Sequence, residues 1–236
     1  MYKKKTVSVV ISTYNESGSI RAVIDDLFAT GYVDEVVVVD NNAIGNTREE
    51  VAKTKAKLVV ETKQGLGFGL QKGLQEATGD LIAMIDADGT YLSKDIEKLL
   101  SYSDEFDAVV GTRTSRVAIW SGAFMPFPVR IANLLWAKMV ELLYNGPLLT
   151  DVGCLYKLLS RKALNEIKLF FPISTGGPIF SLEIILWLLR KKVKTIEIPV
   201  IFKERVGKSS YVGESIWKTA KWGFKMLPFI LADRFK

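Results

Sequence analysis

The chain of 236 residues contains no histidine and a single cysteine, Cys154. Without histidine there is no Ser-His-Asp triad, no HExxH zinc site and no imidazole to move protons. Acid-base work then falls to carboxylates or is not needed. One cysteine excludes an internal disulfide framework and fits a reducing compartment. With no histidine to activate it, Cys154 reads as core rather than nucleophile. Long uncharged apolar runs are missing too. A membrane helix needs roughly 18–20 such residues, and the longest charge-free stretch, 169–182, is broken by Pro172, Gly176, Gly177 and Pro178. The start, MYKKKTVSVVIS, is basic, but its apolar run is too short for a signal peptide. No Walker sequence GxxxxGK[ST], low-complexity tract or solenoid repeat is present, so one main domain is expected.

What is present alternates. Apolar, β-branched runs at Val7–Ile11, Glu35–Val39, Lys57–Glu61, Leu81–Ile85 and Asp107–Val110 predict strands. Helical patterns lie between them at Ser19–Ala29, Thr47–Thr54, Phe68–Ala77 and Lys94–Ser101. Alternation of this kind, with strands apolar on both sides, predicts an α/β fold with a mostly parallel sheet flanked by helices. Ligands of such sheets bind beyond the carboxyl ends of the strands. Three acid-bearing turns fall at that edge: Thr13-Tyr14-Asn15-Glu16, Asp40-Asn41-Asn42, and Asp86-Ala87-Asp88. The glycines of GLGFG (Gly65, Gly67, Gly69) have the wrong spacing and follow the wrong strand for a dinucleotide fingerprint. They are read instead as permitting close backbone approach where a loop becomes a helix.

Two carboxylates at i and i+2 lie on one side of a strand that stays extended, so Asp86 and Asp88 can reach one ion. Only oxygen ligands are on offer, which selects a hard cation, Mg²⁺ or Mn²⁺. Such ions are commonly held partly through substrate phosphates, so a nucleotide diphosphate is the expected third party.

The second half is more aromatic. A helix is expected through RIANLLWAKMVELLY, two more at Arg161–Ile167 and Phe180–Leu189, and a strand in KTIEIPVIF. Of the formal charge of +6, a surplus of +5 lies from Lys203 onward, eight cations against three anions. This suggests either an anionic partner, phosphate or a lipid surface, or simply a solvated basic face; no nucleic-acid partner is expected. In ESIWKTAKWGFKML, one helical face collects Ile216, Trp217, Ala220, Phe224 and Leu227, and another Lys218, Lys221 and Lys225. Two readings stand: an interfacial membrane helix, or a helix docked on the domain with its lysines in water.

The segments VSVVISTYNE, VVVVDNN, GLGFGLQKGLQEATGDLIAMIDADGTY and VVGTR together resemble the family 2 glycosyltransferases of GT-A fold. RIAN, DVGCLYK, GPIFSLEII and FKERVGKSSY narrow the resemblance to dolichyl-phosphate mannose synthases and related polyprenyl-phosphate sugar transferases. The resemblance covers nearly the whole chain. It implies a GT-A domain over 1–212 and an amphipathic basic C-terminal helix over 213–236. It implies that Ser12, Tyr14, Glu16, Val39, Asp40 and Asn41 line the nucleotide pocket, with Ala87 and Thr90 beside the donor. Asp86 and Asp88 would hold the metal. Arg113, Arg130 and Arg205 would gather the acceptor phosphate, with Lys208 or Ser210 near the donor phosphates. The implied reaction transfers a hexose with inversion, mannose from GDP-mannose or a UDP-sugar such as UDP-glucose, onto polyprenyl phosphate at the cytoplasmic membrane face. The chain would reach lipid by its own aromatic second half or through a membrane-protein partner.

This sequence departs from the family pattern at Asp40-Asn41-Asn42-Ala43 (for Asp-Asp-Gly-Ser), at Thr90-Tyr91, at Phe180-Ser181-Leu182-Glu183 and at Ser210. These departures leave the sugar open. The missing histidine suits a phosphate acceptor, whose oxygen is already ionised at neutral pH and needs no base. Two rival readings remain: a transferase acting on a hydroxyl, with a base carboxylate near the acceptor, and a non-catalytic nucleotide-sugar-binding subunit.

Overall fold

The computed structural model describes residues 1–168, 176, 177, 179–207 and 216–234, with the side chains of the last helix described from Gly223 onward. Within them, seven strands form one sheet: β1 (Val7–Thr13), β2 (Glu35–Asp40), β3 (Lys57–Val60), β4 (Leu81–Met84), β5 (Ala108–Thr112), β6 (Lys157–Ser160) and β7 (Thr195–Pro199). The helices are α1 (Ile20–Ala29), α2 (Thr47–Ala52), α3 (Leu66–Glu76), α4 (Ile96–Ser101), α5 (Phe127–Tyr144), α6 (Arg161–Ile167), α7 (Phe180–Arg190) and α8 (Ile216–Arg234). This is the expected α/β architecture, and the predicted strands and helices of the first half all form.

The strand order is β3-β2-β1-β4-β6-β5-β7. β1 pairs in parallel with β2 on one side and β4 on the other. The chain therefore lays down β2 and β3 on one side of β1 and then returns to its other side. In open sheets a ligand crevice forms beyond the carboxyl ends of the strands at such a reversal. Here those ends lead into Thr13–Glu16 and Ile85–Asp88.

Alternation along the strands builds two cores. Val7, Val9 and Ile11 of β1 join Val36 and Val38 of β2, Leu81 and Ala83 of β4, and the inner face of α1. Val10, Val37, Val39, Ile82 and Met84 meet α3, α6 and α7 on the opposite face. α3 comes unusually close to the sheet because it is short of side chains there. A Cβ on Gly73 would lie 2.3 Å from Val10 Cγ1, and one on Gly69 2.2 Å from Ser12 Oγ. At the helix start Gly65 adopts φ +144°, and a Cβ there would lie 2.5 Å from the Gly176 carbonyl oxygen. The GLGFG glycines thus permit close backbone approach at a loop-to-helix start.

Two points differ from the sequence reading. β6 was not anticipated; it is four residues long and runs antiparallel between β4 and β5. Its Lys157 is fully buried and donates from Nζ to the Cys154 carbonyl and, at 2.6 Å, to Ser181 Oγ. Second, β4 ends at Met84, so Asp86 and Asp88 sit in a turn rather than on an extended strand. Gly89 at φ +74° closes that turn.

Helix α8 runs alongside α5 in the same direction. Gly223 lies against the Trp136 indole, Tyr144 OH donates to Asp233 at 2.7 Å, and Arg234 Nε donates to the Leu143 carbonyl at 2.8 Å. Met226, Phe229 and buried Ile230 join a third cluster with α5 and α7. Phe224 and Leu227, from the apolar face named in the sequence, are exposed to solvent; the side chains of Ile216, Trp217 and Ala220 lie outside the described residues. Helix α8 is therefore docked on the domain through one face and exposes apolar side chains on another. The 212/213 boundary lies outside the described residues, and no described helix is long and apolar enough to cross a membrane.

Gly73→Val tests the close packing of α3. Overpacking against Val10 and Val39 should cost about 1–3 kcal/mol, read as a lower urea midpoint at unchanged slope; an unchanged midpoint would show that α3 can move off the sheet.

Candidate active site

The turn after β1 is organised by one carboxylate. Glu16 Oε2 accepts the backbone N–H groups of Tyr14 and Asn15, both at 2.8 Å, which leaves Oε1 pointing away from the turn. The turn after β4 is organised in the same way. Asp88 Oδ1 accepts Thr90 N–H at 3.0 Å and Thr90 Oγ–H at 2.7 Å, which leaves Oδ2 outward. Arg205, on the segment after β7, spans the two spare oxygens. Its NH1 donates to Asp88 Oδ2 at 2.7 Å and its NH2 to Glu16 Oε1 at 3.0 Å. Main-chain bonds hold that segment to the turn, Lys203 N–H to the Thr90 carbonyl at 2.8 Å and Val206 N–H to the Asp88 carbonyl at 3.0 Å. Ser19 at the start of α1 ties the two turns together by donating to the Ala87 carbonyl at 2.8 Å.

Asp86 feels the whole group. Burial, then the neighbouring Asp88 charge, push its carboxyl up to about 7, against the pull of Arg113 and Arg205. The outward oxygens of Asp88 and Glu16 accept positive charge, as the Arg205 guanidinium between them shows. No cluster of three acid, histidine or cysteine ligands occurs among the described residues. The donor set fits a hard divalent cation that takes one or two carboxylates and completes its shell from substrate oxygens.

The turn after β2 is locked by its own side chains. Asp40 is buried, accepts Ala43 N–H at 2.6 Å and pairs with Arg48. Asn41 donates to the carbonyls of Glu61 and Lys63 and accepts Gly65 N–H at 2.7 Å. Asn42 donates to the Thr62 carbonyl at 3.0 Å. These amides fasten the β2 turn to the loop entering α3. Val39 is fully buried in the core, and Ser12 lies beneath Gly69.

The structure separates the three arginines. Arg205 is among the acids. Arg113, after β5, is held by Asp151: Nε to Oδ2 at 2.8 Å and NH2 to Oδ1 at 3.0 Å, with Phe202 5.3 Å from the guanidinium carbon. Arg130 lies in the first turn of α5 over the Phe127 ring, and no described contact links it to the acids. Lys208 and Ser210 lie outside the described residues.

Sequence reasoning did not single out Asp151, although DVGCLYK carries it. Burial works against its charge, but Arg113 beside it outweighs burial and holds the carboxyl low. Glu197 of β7 supports this acid by accepting N–H bonds from Thr150 and Asp151 at 2.8–3.0 Å. Lys157 and Ser181 fasten the following turn through the carbonyls of Val152 and Cys154. The available signal was an acid two residues before a glycine whose missing side chain admits a guanidinium: a Cβ on Gly153 would lie 3.0 Å from Arg113 NH2.

Comparison with known proteins identifies similar chains. Residues 8–167 match the profile of the family described as Glycosyl transferase family 2. The chain is 28% identical to the dolichyl-phosphate beta-glucosyltransferase of Saccharomyces cerevisiae, over 91% of this chain and 72% of that protein. It is 27% identical to the undecaprenyl-phosphate mannosyltransferase of Micrococcus luteus, over 92% and 93%. Among solved structures it is similar to glucosyl-3-phosphoglycerate synthase from Mycobacterium tuberculosis in complex with Mn²⁺, UDP and glucosyl-3-phosphoglycerate. That TM-score is 0.73 at 17% identity, covering 98% of this chain and 80% of the other.

The Arg113–Asp151 pair can be tested alone. Asp151→Ala strands a largely buried guanidinium and should cost about 3–5 kcal/mol, measured by denaturant unfolding. Adding Arg113→Met in the same chain should recover most of that loss; no recovery would mean that Asp151 acts through the 151–153 turn instead.

Proposed function

Because the chain belongs to glycosyl transferase family 2, we propose that it moves a hexose from a nucleotide sugar to the phosphate of a polyprenyl lipid, inverting the anomeric carbon. The observation that carries this reading is the meeting of Asp86, Asp88 and Glu16 with Arg205 at the carboxyl edge of β1 and β4, beside Arg113. One side of that cluster suits a cation-bound diphosphate and the other a phosphate monoester. The names of the yeast and Micrococcus luteus relatives support a polyprenyl-phosphate acceptor, and one moves glucose and the other mannose, so the reading is held at a hexose.

Asp86 and Asp88 would hold Mg²⁺ or Mn²⁺, which neutralises charge on the departing diphosphate. Ser12, Tyr14, Asp40 and Asn41 would surround the nucleotide, Ala87 and Thr90 the sugar side, and Lys208 or Ser210 the donor phosphates. Arg113 and Arg205 would orient the acceptor phosphate, with Arg130 at the mouth. The phosphate oxygen attacks without a base, so alignment and charge placement carry the catalysis.

A lipid acceptor also accounts for surface that a soluble substrate leaves unexplained. Phe127, Ile131, Leu135 and Leu142 form an exposed stripe along α5, Leu142 at 83% exposure, and Phe224, Leu227 and Leu231 are exposed on α8. Aromatic and aliphatic residues in this arrangement suit the headgroup boundary of a bilayer. The protein would then sit peripherally on the membrane, at its cytoplasmic face.

The direct test is incubation with Mg²⁺ or Mn²⁺, a short polyprenyl phosphate and a panel of GDP- and UDP-sugars, with phosphoglyceric acid and simple sugars as soluble acceptors. Formation of a lipid-linked sugar is expected, abolished by Asp88→Ala; transfer only to the soluble acceptors would overturn the reading. Separately, Phe224→Ser/Leu227→Ser/Leu231→Ser should lower co-sedimentation with anionic vesicles about tenfold or more at an unchanged melting temperature. Unaltered sedimentation would remove α8 from the lipid contact.

A further inference from the structure

Arg205 occupies the acids that would hold the metal-bound diphosphate in the proposed function. Its two terminal nitrogens take the only outward oxygens of Asp88 and Glu16, the others being committed to Thr90, Tyr14 and Asn15. Its Nε–H is buried with no acceptor among the described residues. An unsatisfied buried donor costs free energy, so this pose is stabilised by its two carboxylates and by little else. Arg113 is the contrast. Asp151 takes one whole edge of its guanidinium and also accepts its backbone N–H at 3.1 Å, so it is fixed in place.

We propose that Arg205 is a built-in counter-cation of the donor site: it neutralises Asp88 and Glu16 in the absence of donor, competes with the divalent cation for Asp88, and becomes available to the acceptor phosphate only after that cation and the nucleotide diphosphate have displaced it. Two positive charges cannot share the Asp88 carboxylate oxygen without strong repulsion in a partly buried site. The guanidinium leaves by side-chain rotation, because Lys203 and Val206 keep the backbone on either side bonded to the Asp88–Thr90 turn. Binding is then ordered, donor before acceptor. The ordering half rests on the proposed acceptor reading; the competition half does not.

The test begins with Mn²⁺ alone, without nucleotide or lipid, titrated by electron paramagnetic resonance. Arg205→Met should bind Mn²⁺ about tenfold more tightly than the wild type, since a competitor has been removed. Arg205→Lys, whose ammonium reaches one acid at a time, should fall between them. Asp88→Asn in the Arg205→Met chain should abolish the gain, which fixes its location. A residue that merely buttresses the turns predicts the opposite sign, so unchanged or weaker Mn²⁺ binding by both variants overturns the proposal. The second arm titrates a short polyprenyl phosphate. Wild type should bind it about fivefold more tightly with Mn²⁺ and UDP present, and Arg205→Met should show no such gain. Equal affinity with and without Mn²⁺–UDP overturns the ordering. No lipid binding under any condition overturns the acceptor reading and leaves the Mn²⁺ result standing.

Discussion

Everything at the site follows from the placement of β1 between β2 and β4. A strand paired on both sides and buried on both faces cannot shift, and the two loops that leave this part of the sheet meet at one edge. Their sequences put acids there, Glu16 on one and Asp86 and Asp88 on the other. Three carboxylates in so small a space repel one another, and the fold answers with a guanidinium from the far end of the chain. The last strand is thus bound to the first by charge: β7 delivers Arg205 to the turns after β1 and β4, although it is an edge strand with β4, β6 and β5 between it and β1.

The first half of the fold was legible because its signals are local and redundant. Runs such as Val36–Val39 are apolar on both sides and bounded by turn residues, and helical spacing lies between them. The glycines of GLGFG were legible in kind, as places where backbones touch, though not in target: Ser12, Val10 and Gly176 come from elsewhere in the chain. Strand β6 escaped notice because four residues, one of them a lysine, carry no periodic signal. Its place in the sheet is set by β4 and β5, and Lys157 becomes a core residue only because Ser181 and the Cys154 carbonyl are there to receive it.

At the site the acids could be found in sequence and the arginines could be named, but their division of labour could not. Arg113, Arg130 and Arg205 look alike in a sequence. The fold makes one a clamped group, one a residue at the start of α5, and one an occupant of the acid cluster. The difference is set by Asp151, Phe127 and Glu16, none of which lies near its arginine along the chain except Phe127. For α8, the helical wheel groups Phe224 and Leu227 on one apolar side and leaves open which way that side points. That depends on Gly223, whose missing side chain lets Trp136 approach and so turns Phe224 and Leu227 outward.

The parallel course of α5 and α8 bears on orientation as well as attachment. A single amphipathic rod lying in a soft interface fixes only an axis, and the body above it is free to roll. Two rods fastened side by side, through Trp136 at one end and Tyr144 and Asp233 at the other, define a plane. On the proposed membrane attachment, a body carried on such a plane keeps the same tilt with every encounter, so the mouth of its crevice would meet each passing lipid headgroup at one angle and one height.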